Sequence, residues 1–245
     1  MLFSTKGLVT RSVRYGESSL VVTVFTELFG LRSYIVNGVR TSKLKSAFKP
    51  AMFQPGALLE LVVYEQEGKN LQRIKECKWS ILYTEIFTSL AKNAVSLFII
   101  ELLQKCLRQP EPQPELFYFS EDALITLDKS SVTATANFPL FFTLHLSHFF
   151  GFRMEDEYSE KKNILDLKEG NFVSSAPDHQ YWLAAPFSEL ISYFLKAQHP
   201  SDTENIHLNR DQRRKLLEAC LLYYSLHYPD FGVLKSVPVL QSVME

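Results

Sequence analysis

The hydrophobic pattern of this chain changes period once, and the change falls at Trp79. Before it, apolar and β-branched residues gather in short runs at 8–15, 20–27, 31–39, 57–66 and 70–78. Val, Ile, Thr, Tyr and Phe suit a pleated, half-buried surface, and Gly16-Glu17-Ser18, Leu28-Phe29-Gly30 and Glu67-Gly68-Lys69-Asn70 supply the turns between runs. In the last run, alternation sets Leu71, Arg73, Lys75 and Cys77 on one face and Gln72, Ile74 and Glu76 on the other. The second run, Leu20 to Phe25, barely alternates and reads as a strand buried on both sides. Five strands in about 80 residues, with a longer connection after the third, predict a small closed barrel. The oligonucleotide/oligosaccharide-binding (OB) type is the first candidate and an SH3-like barrel the alternative.

After Trp79 the spacing is helical. Val95, Phe98, Ile99, Leu102, Leu103 and Cys106 form one apolar face, and the prolines at 110, 112 and 114 forbid its continuation. Ser120 is the predicted N-cap of a short helix over 121–129, with Glu121 and Asp122 where a helix dipole favours them. Residues 138–150 predict a helix apolar nearly all round, hence central. Residues 151–182 are polar and read as a long excursion with a short hairpin near Phe172 and Val173. Helices follow over 187–198 and 210–228. Asn209 caps the latter with Gln212 reciprocating, Leu217, Cys220, Leu221, Tyr224 and Tyr228 form its buried face, and Pro229 ends it. The expected fold class is therefore α+β and multidomain. An all-β, OB-type five-stranded barrel occupies 1–80, and an all-α helical domain occupies 81–245, with the polar excursion at 151–182.

Net charge is −1, but residues 1–80 carry +6 and residues 81–245 carry −7. Such asymmetry points to an anionic partner for the barrel. The connection from Asn37 to Pro50 holds Arg40, Lys43, Lys45 and Lys49 and no acid. Lys and Arg contacts to phosphates supply most sequence-independent nucleic-acid affinity. Arg11, Arg14, Arg32, Arg73 and Lys75 on neighbouring strands extend the candidate DNA-binding set. Tyr15, Tyr34 and Phe48 are candidate stacking rings, against the competing need of a small barrel for large side chains inside.

Other chemistry is sparse. The chain has no GxSxG, Walker or GxGxxG pattern, which favours a binding protein without cofactor or catalytic residues over an enzyme. His145 and His148, followed by Glu155, Asp156 and Glu157, are the one arrangement from which a metal-dependent hydrolase would be built, yet two histidines on an apolar helix read more simply as hydrogen-bonded core. Arg210, Arg213, Arg214 and Lys215 open the last long helix, where they form a solvated face or meet an acidic peptide. Cys77, Cys106 and Cys220 are read as buried free thiols of a reducing compartment. No run approaches the ~18 apolar residues of a membrane span and no signal peptide is evident, so a cytoplasmic place is expected.

The strings Thr5-Lys6-Gly7-Leu8-Val9, Tyr15-Gly16-Glu17-Ser18-Ser19-Leu20, Phe25-Thr26-Glu27, Gly30-Leu31, Gly38-Val39-Arg40 and Pro50 stand in the order and spacing of bacterial RecO proteins. Gly232-Val233-Leu234-Lys235-Ser236 followed by Leu240 is similar to that family's ending. The resemblance implies an N-terminal OB domain and a helical C-terminal domain. It implies a nucleoid-associated role in recombinational repair, binding of single- and double-stranded DNA, annealing of complementary strands and recombinase loading. RecR and the acidic tail of the single-strand-binding protein are the partners it implies. Arg40 and the following lysines would be DNA contacts. Many RecO proteins hold zinc with four cysteines in the excursion. This chain has none there, so zinc is not expected, and packing around Phe172 and Trp182 is expected to take its place. Residues 132–144 contain no Lys or Arg, so the tail-binding residues are not assigned by the resemblance. A protein-binding structural adaptor is the remaining alternative.

Overall fold

A computed structural model describes residues 1–39, 48–107 and 110–244. It divides into two compact units, Met1–Thr84 with Leu103–Ile125, and Glu85–Leu102 with Thr126–Glu245.

The first unit is built on five strands: β1 (Leu2–Tyr15), β2 (Ser19–Thr26), β3 (Gly30–Val36), β4 (Leu58–Tyr64) and β5 (Leu71–Trp79). They close in the order β1-β2-β3-β5-β4, all neighbours antiparallel except β3 and β5. Val9, Leu20, Val22, Val24, Tyr34, Leu59, Leu61 and Val63 fill the interior and are almost fully buried. The barrel is narrow. A Cβ at Gly7 would lie 2.5 Å from Val24 Cγ1, so glycine is required where β1 passes these side chains.

Two departures from the expected pattern follow from bulges. Val9 pairs with Val24 and Arg11 with Thr23, so Thr10 is an extra residue in β1. Without it Arg11 would share the inward phase of Val9; with it Arg11 and Val13 turn outward. On β5, Ile74 pairs with Val63 and Glu76 with Val62, so Lys75 is the extra residue. Cys77 therefore shares the face of Gln72 and Ile74, not that of Arg73. The expectation for β2 is also corrected. Leu20, Val22 and Val24 face inward, while of the other face Val21 and Thr23 are half-exposed and Phe25 is buried, so the run is buried on both sides only at its Phe25 end.

The helices are α1 (Leu90–Cys106), α2 (Pro114–Lys129), α3 (Val132–Leu146), α4 (Phe187–Lys196), α5 (Arg210–His227) and α6 (Ser236–Val243). Two start earlier than expected. α2 begins at Pro114, because a proline that ends one helix is well placed in the first turn of the next. Ser120 is thus not its cap but a buried mid-helix residue whose hydroxyl donates to the Leu116 carbonyl at 2.7 Å. α3 begins after Ser131, whose side chain caps Ala134 N, and runs through Pro139. Its central, nearly all-round burial agrees with its composition. The Asn209–Gln212 capping box of α5 is present with both reciprocal bonds.

The excursion holds a small sheet of β6 (Ile164–Asp166), β7 (Asn171–Val173) and β8 (Trp182–Leu183) in the order β7-β6-β8. Phe172 is buried against Tyr158 and Trp182 is partly exposed. The Asp166 carboxylate accepts from the amides of Lys168 and Glu169 and pairs with His179 at 3.4 Å. The Tyr223 hydroxyl of α5 donates to the Phe152 carbonyl, and Gly170 lies so close to it that a Cβ would meet Tyr223 Oη at 2.5 Å. These contacts hold the excursion to α5 without cysteine ligands. Among the described residues no three His, Cys, Asp or Glu side chains gather to hold a metal ion.

A candidate nucleic-acid interface on the barrel

The register fixes which side chains share the barrel's outer surface. Arg11 on β1 is opposite Thr23 on β2, which is opposite Ser33 on β3, which is opposite Leu71 on β5. The next outward row is Val13, Val21, Ile35 and Arg73, continuing to Tyr64 on β4. Neighbouring strands lie about 4.8 Å apart, so each row spans roughly 14 Å from β1 to β5 across β2 and β3, with Arg11 at the start of one and Arg73 at the end of the next. Both are exposed, and neither has an acidic partner among the described residues. Arg14 pairs with Leu20 and emerges at the open barrel end beside the β1–β2 hairpin, also exposed. Lys49 is exposed just before the short 3-10 turn Pro50–Phe53.

The opposite outer surface, formed by β1, β4 and β5, is different. A broad hollow of about 750 Å³ there is lined by Lys6, Glu60, Lys75, Glu76 and Lys78, among others. Each of its cations is neutralised. Lys6 donates to both carboxylate oxygens of Glu121 at 3.0 Å, Lys78 meets Glu60 at 2.7 Å and Lys75 meets Glu76 at 3.2 Å. Exposed pairs of this kind add little stability, but they cancel the field that a phosphate would feel.

The predicted DNA residues thus separate. Arg11 and Arg73 flank one face, Arg14 and Lys49 are exposed, and Lys75 is paired with Glu76. Arg32 has the inward phase of Tyr34 and reaches Glu65 at 3.7 Å over the barrel mouth. Arg40, Lys43 and Lys45 lie outside the described residues. Of the candidate rings, Tyr34 is fully buried and its hydroxyl donates to Glu65 at 2.8 Å; burial and that carboxylate push its pKa far up. Phe48 packs against Phe53, and Tyr15 is 56% exposed. Tyr64, 45% exposed beside Arg73, is a ring that the sequence reading did not single out, because its outward phase follows from the β4–β5 register.

In the second unit, α3, α5 and α6 enclose a groove of about 220 Å³ lined by Pro139, Leu140, Leu217 and Leu240, with Arg210, Arg213 and Arg214 along it. Arg213 is partly buried. Its Nε donates to Asn137 Oδ1 at 3.2 Å, and burial lowers its pKa from the ordinary arginine value. Asn137 is itself fully buried and donates to the Thr203 and Ile206 carbonyls. Arg214 pairs with Glu218 at 2.9 Å. The histidine pair does not converge: His145 Nε2 lies 3.2 Å from the Phe194 carbonyl under Phe141, whereas His148 is exposed.

The described residues form a small closed barrel on which the exposed Arg11 and Arg73 have no acidic partner, followed by helices with an arginine-lined apolar groove. Two family models match in sequence order: Recombination protein O N terminal over residues 1–83 and Recombination protein O C terminal over residues 88–236. The chain is 31% identical to the DNA repair protein RecO of Christiangramia forsetii over 99% of both chains. It is 33% identical to that of Flavobacterium psychrophilum over 99% of both, and 30% identical to that of Bacteroides fragilis over the full length of both. The chain belongs to the recombination protein O (RecO) family of DNA repair proteins.

Proposed function

We propose that this chain binds DNA through the face between Arg11 and Arg73, anneals complementary strands and acts as a recombination mediator rather than an enzyme. The observation that carries the reading is the contrast between the barrel's two outer surfaces, one neutralised by Glu60, Glu76 and Glu121 and one left cationic. The strand order, with β3 closing in parallel on β5, supports an OB-type barrel over residues 1–80. Phosphate contacts release counterions, lower the repulsion between two strands and let pairing nucleate. Arg14 and Lys49 are further exposed cations of the same unit, and Arg40, Lys43 and Lys45 are the further DNA contacts that the family resemblance implies.

The helical groove supports the second half of the reading. A partly buried guanidinium with no carboxylate partner among the described residues, beside an apolar seat, suits an acidic peptide with a hydrophobic terminal residue. This is the chemistry of a single-strand-binding protein's acidic tail, and Arg213 on α5 supplies the charge that α3 lacks. RecR is the expected further partner, and the bacterial nucleoid the expected place of action; no helix among the described residues is long and apolar enough to cross a membrane. The test is direct. At low salt the full chain is expected to bind a single-stranded oligonucleotide and to accelerate annealing of complementary strands. Absence of both would refute the reading and favour an adaptor.

A further inference from the structure

We propose that a bound single strand lies across β2 and β3 with its phosphates against the protein and its bases turned out to solvent, an orientation that rests on the DNA reading above. The centre of the face is Thr23 directly opposite Ser33, beside Arg11 on β1. Both hydroxyls are half-exposed and have no hydrogen-bond partner among the described residues. Two hydroxyl donors and a guanidinium in one cross-strand row suit a phosphate, which accepts from all three. The adjoining row is Val13, Val21 and Ile35, closed by Arg73. These side chains are short and β-branched, held stiff against the strand, and present no flat surface to a base.

Proteins that take bases inward hold them on rings, each worth roughly five- to a hundredfold in affinity. Here the barrel's rings stand elsewhere. Tyr34 is inside and Phe48 is packed on Phe53. Tyr15 and Tyr64 are exposed, but at the two margins, Tyr15 past Val13 at the hairpin and Tyr64 beyond Arg73 on β4. Charge and hydroxyls at the centre, with rings at the rim, match a grip on the backbone. A strand held this way keeps its pairing edges open to a second strand, which is what annealing needs. It is also read without regard to sequence.

Permanganate, which oxidises unstacked thymines, distinguishes the orientations. A thymidine oligonucleotide is saturated with the full chain at low salt, and occupancy is followed by anisotropy in the same sample. Bound thymines are expected to react within about twofold of free ones, and Y15A and Y64A to leave both occupancy and reactivity unchanged. I35Y installs a ring at the centre of the face; it is expected to tighten binding roughly tenfold, protect thymines and slow annealing. Protection of thymines tenfold or more on the unaltered chain overturns the orientation alone. Failure of the oligonucleotide to bind at low salt overturns the orientation and the DNA reading together.

Discussion

Removing the cations of one barrel face should change the salt dependence of binding by an amount fixed in advance. For single strands, log K falls with log[salt] with slope of about −0.7 per phosphate neutralised. The R11A/R14A/R73A variant removes three exposed cations with no acidic partner among the described residues. If each contacts one phosphate, the slope becomes shallower by about 2. Extrapolated to 1 M salt the two curves meet, and at 0.1 M the variant binds about a hundredfold more weakly. The K6A/K78A variant is the control, because Glu121 and Glu60 already neutralise those cations at 3.0 and 2.7 Å. Its slope should differ by less than about 0.5. The assay is fluorescence anisotropy of a labelled oligonucleotide with the full chain, titrated from 50 mM to 1 M salt, with circular dichroism to check folding. An unchanged slope in the triple variant, or an equal loss in the control, would refute the assignment of the face.

Three further outcomes are expected. R213A should weaken binding of a peptide ending in acidic residues and a terminal phenylalanine about tenfold, with oligonucleotide affinity unchanged, as read by calorimetry; L217E should do the same by filling the apolar seat with like charge. G170A should lower stability by about 2 kcal/mol or more in denaturant melts, because residue 170 has φ of 73° and its new Cβ would press on Tyr223. His145 has its pKa lowered chiefly by burial, so the unfolded chain takes up that proton more readily. Its contribution should be intact above the ordinary histidine value of about 6.5 and fall away as pH drops below it, and a His145→Gln variant should flatten that part of the stability–pH curve.

How far the sequence determined this picture differs by element. The strands were legible because Val, Ile and Thr runs and Gly turns are local signals, and five of them left few closed arrangements. The α5 cap was legible for the same reason, since Asn209 and Gln212 act across three residues. The starts of α2 and α3 were obscured by Pro114 and Pro139, which end helices in general but are accommodated here at a first turn and inside a buried helix. The candidate site was legible only in part. Charge asymmetry pointed to the barrel, and of the predicted cations Arg11, Arg14, Lys49 and Arg73 are exposed. What alternation alone misjudges is facing. The bulges at Thr10 and Lys75 change the phase of everything beyond them, and neither leaves a local mark. Pairing was equally hidden. Arg32 meets Glu65, 33 positions away, and Lys6 meets Glu121, 115 positions away. The groove residues came from three helices, of which only the arginine cluster of α5 stood out in sequence.

The account turns on whether nucleic acid touches the face between Arg11 and Arg73. Amide chemical-shift mapping of the full chain, with and without a short single strand, addresses this residue by residue. The prediction is that shifts concentrate at Arg11, Val13, Val21, Thr23, Ser33, Ile35 and Arg73, and leave Lys6, Glu60, Val62 and Lys78 where they were. Shifts confined to the second group, or spread evenly over the barrel, would contradict it.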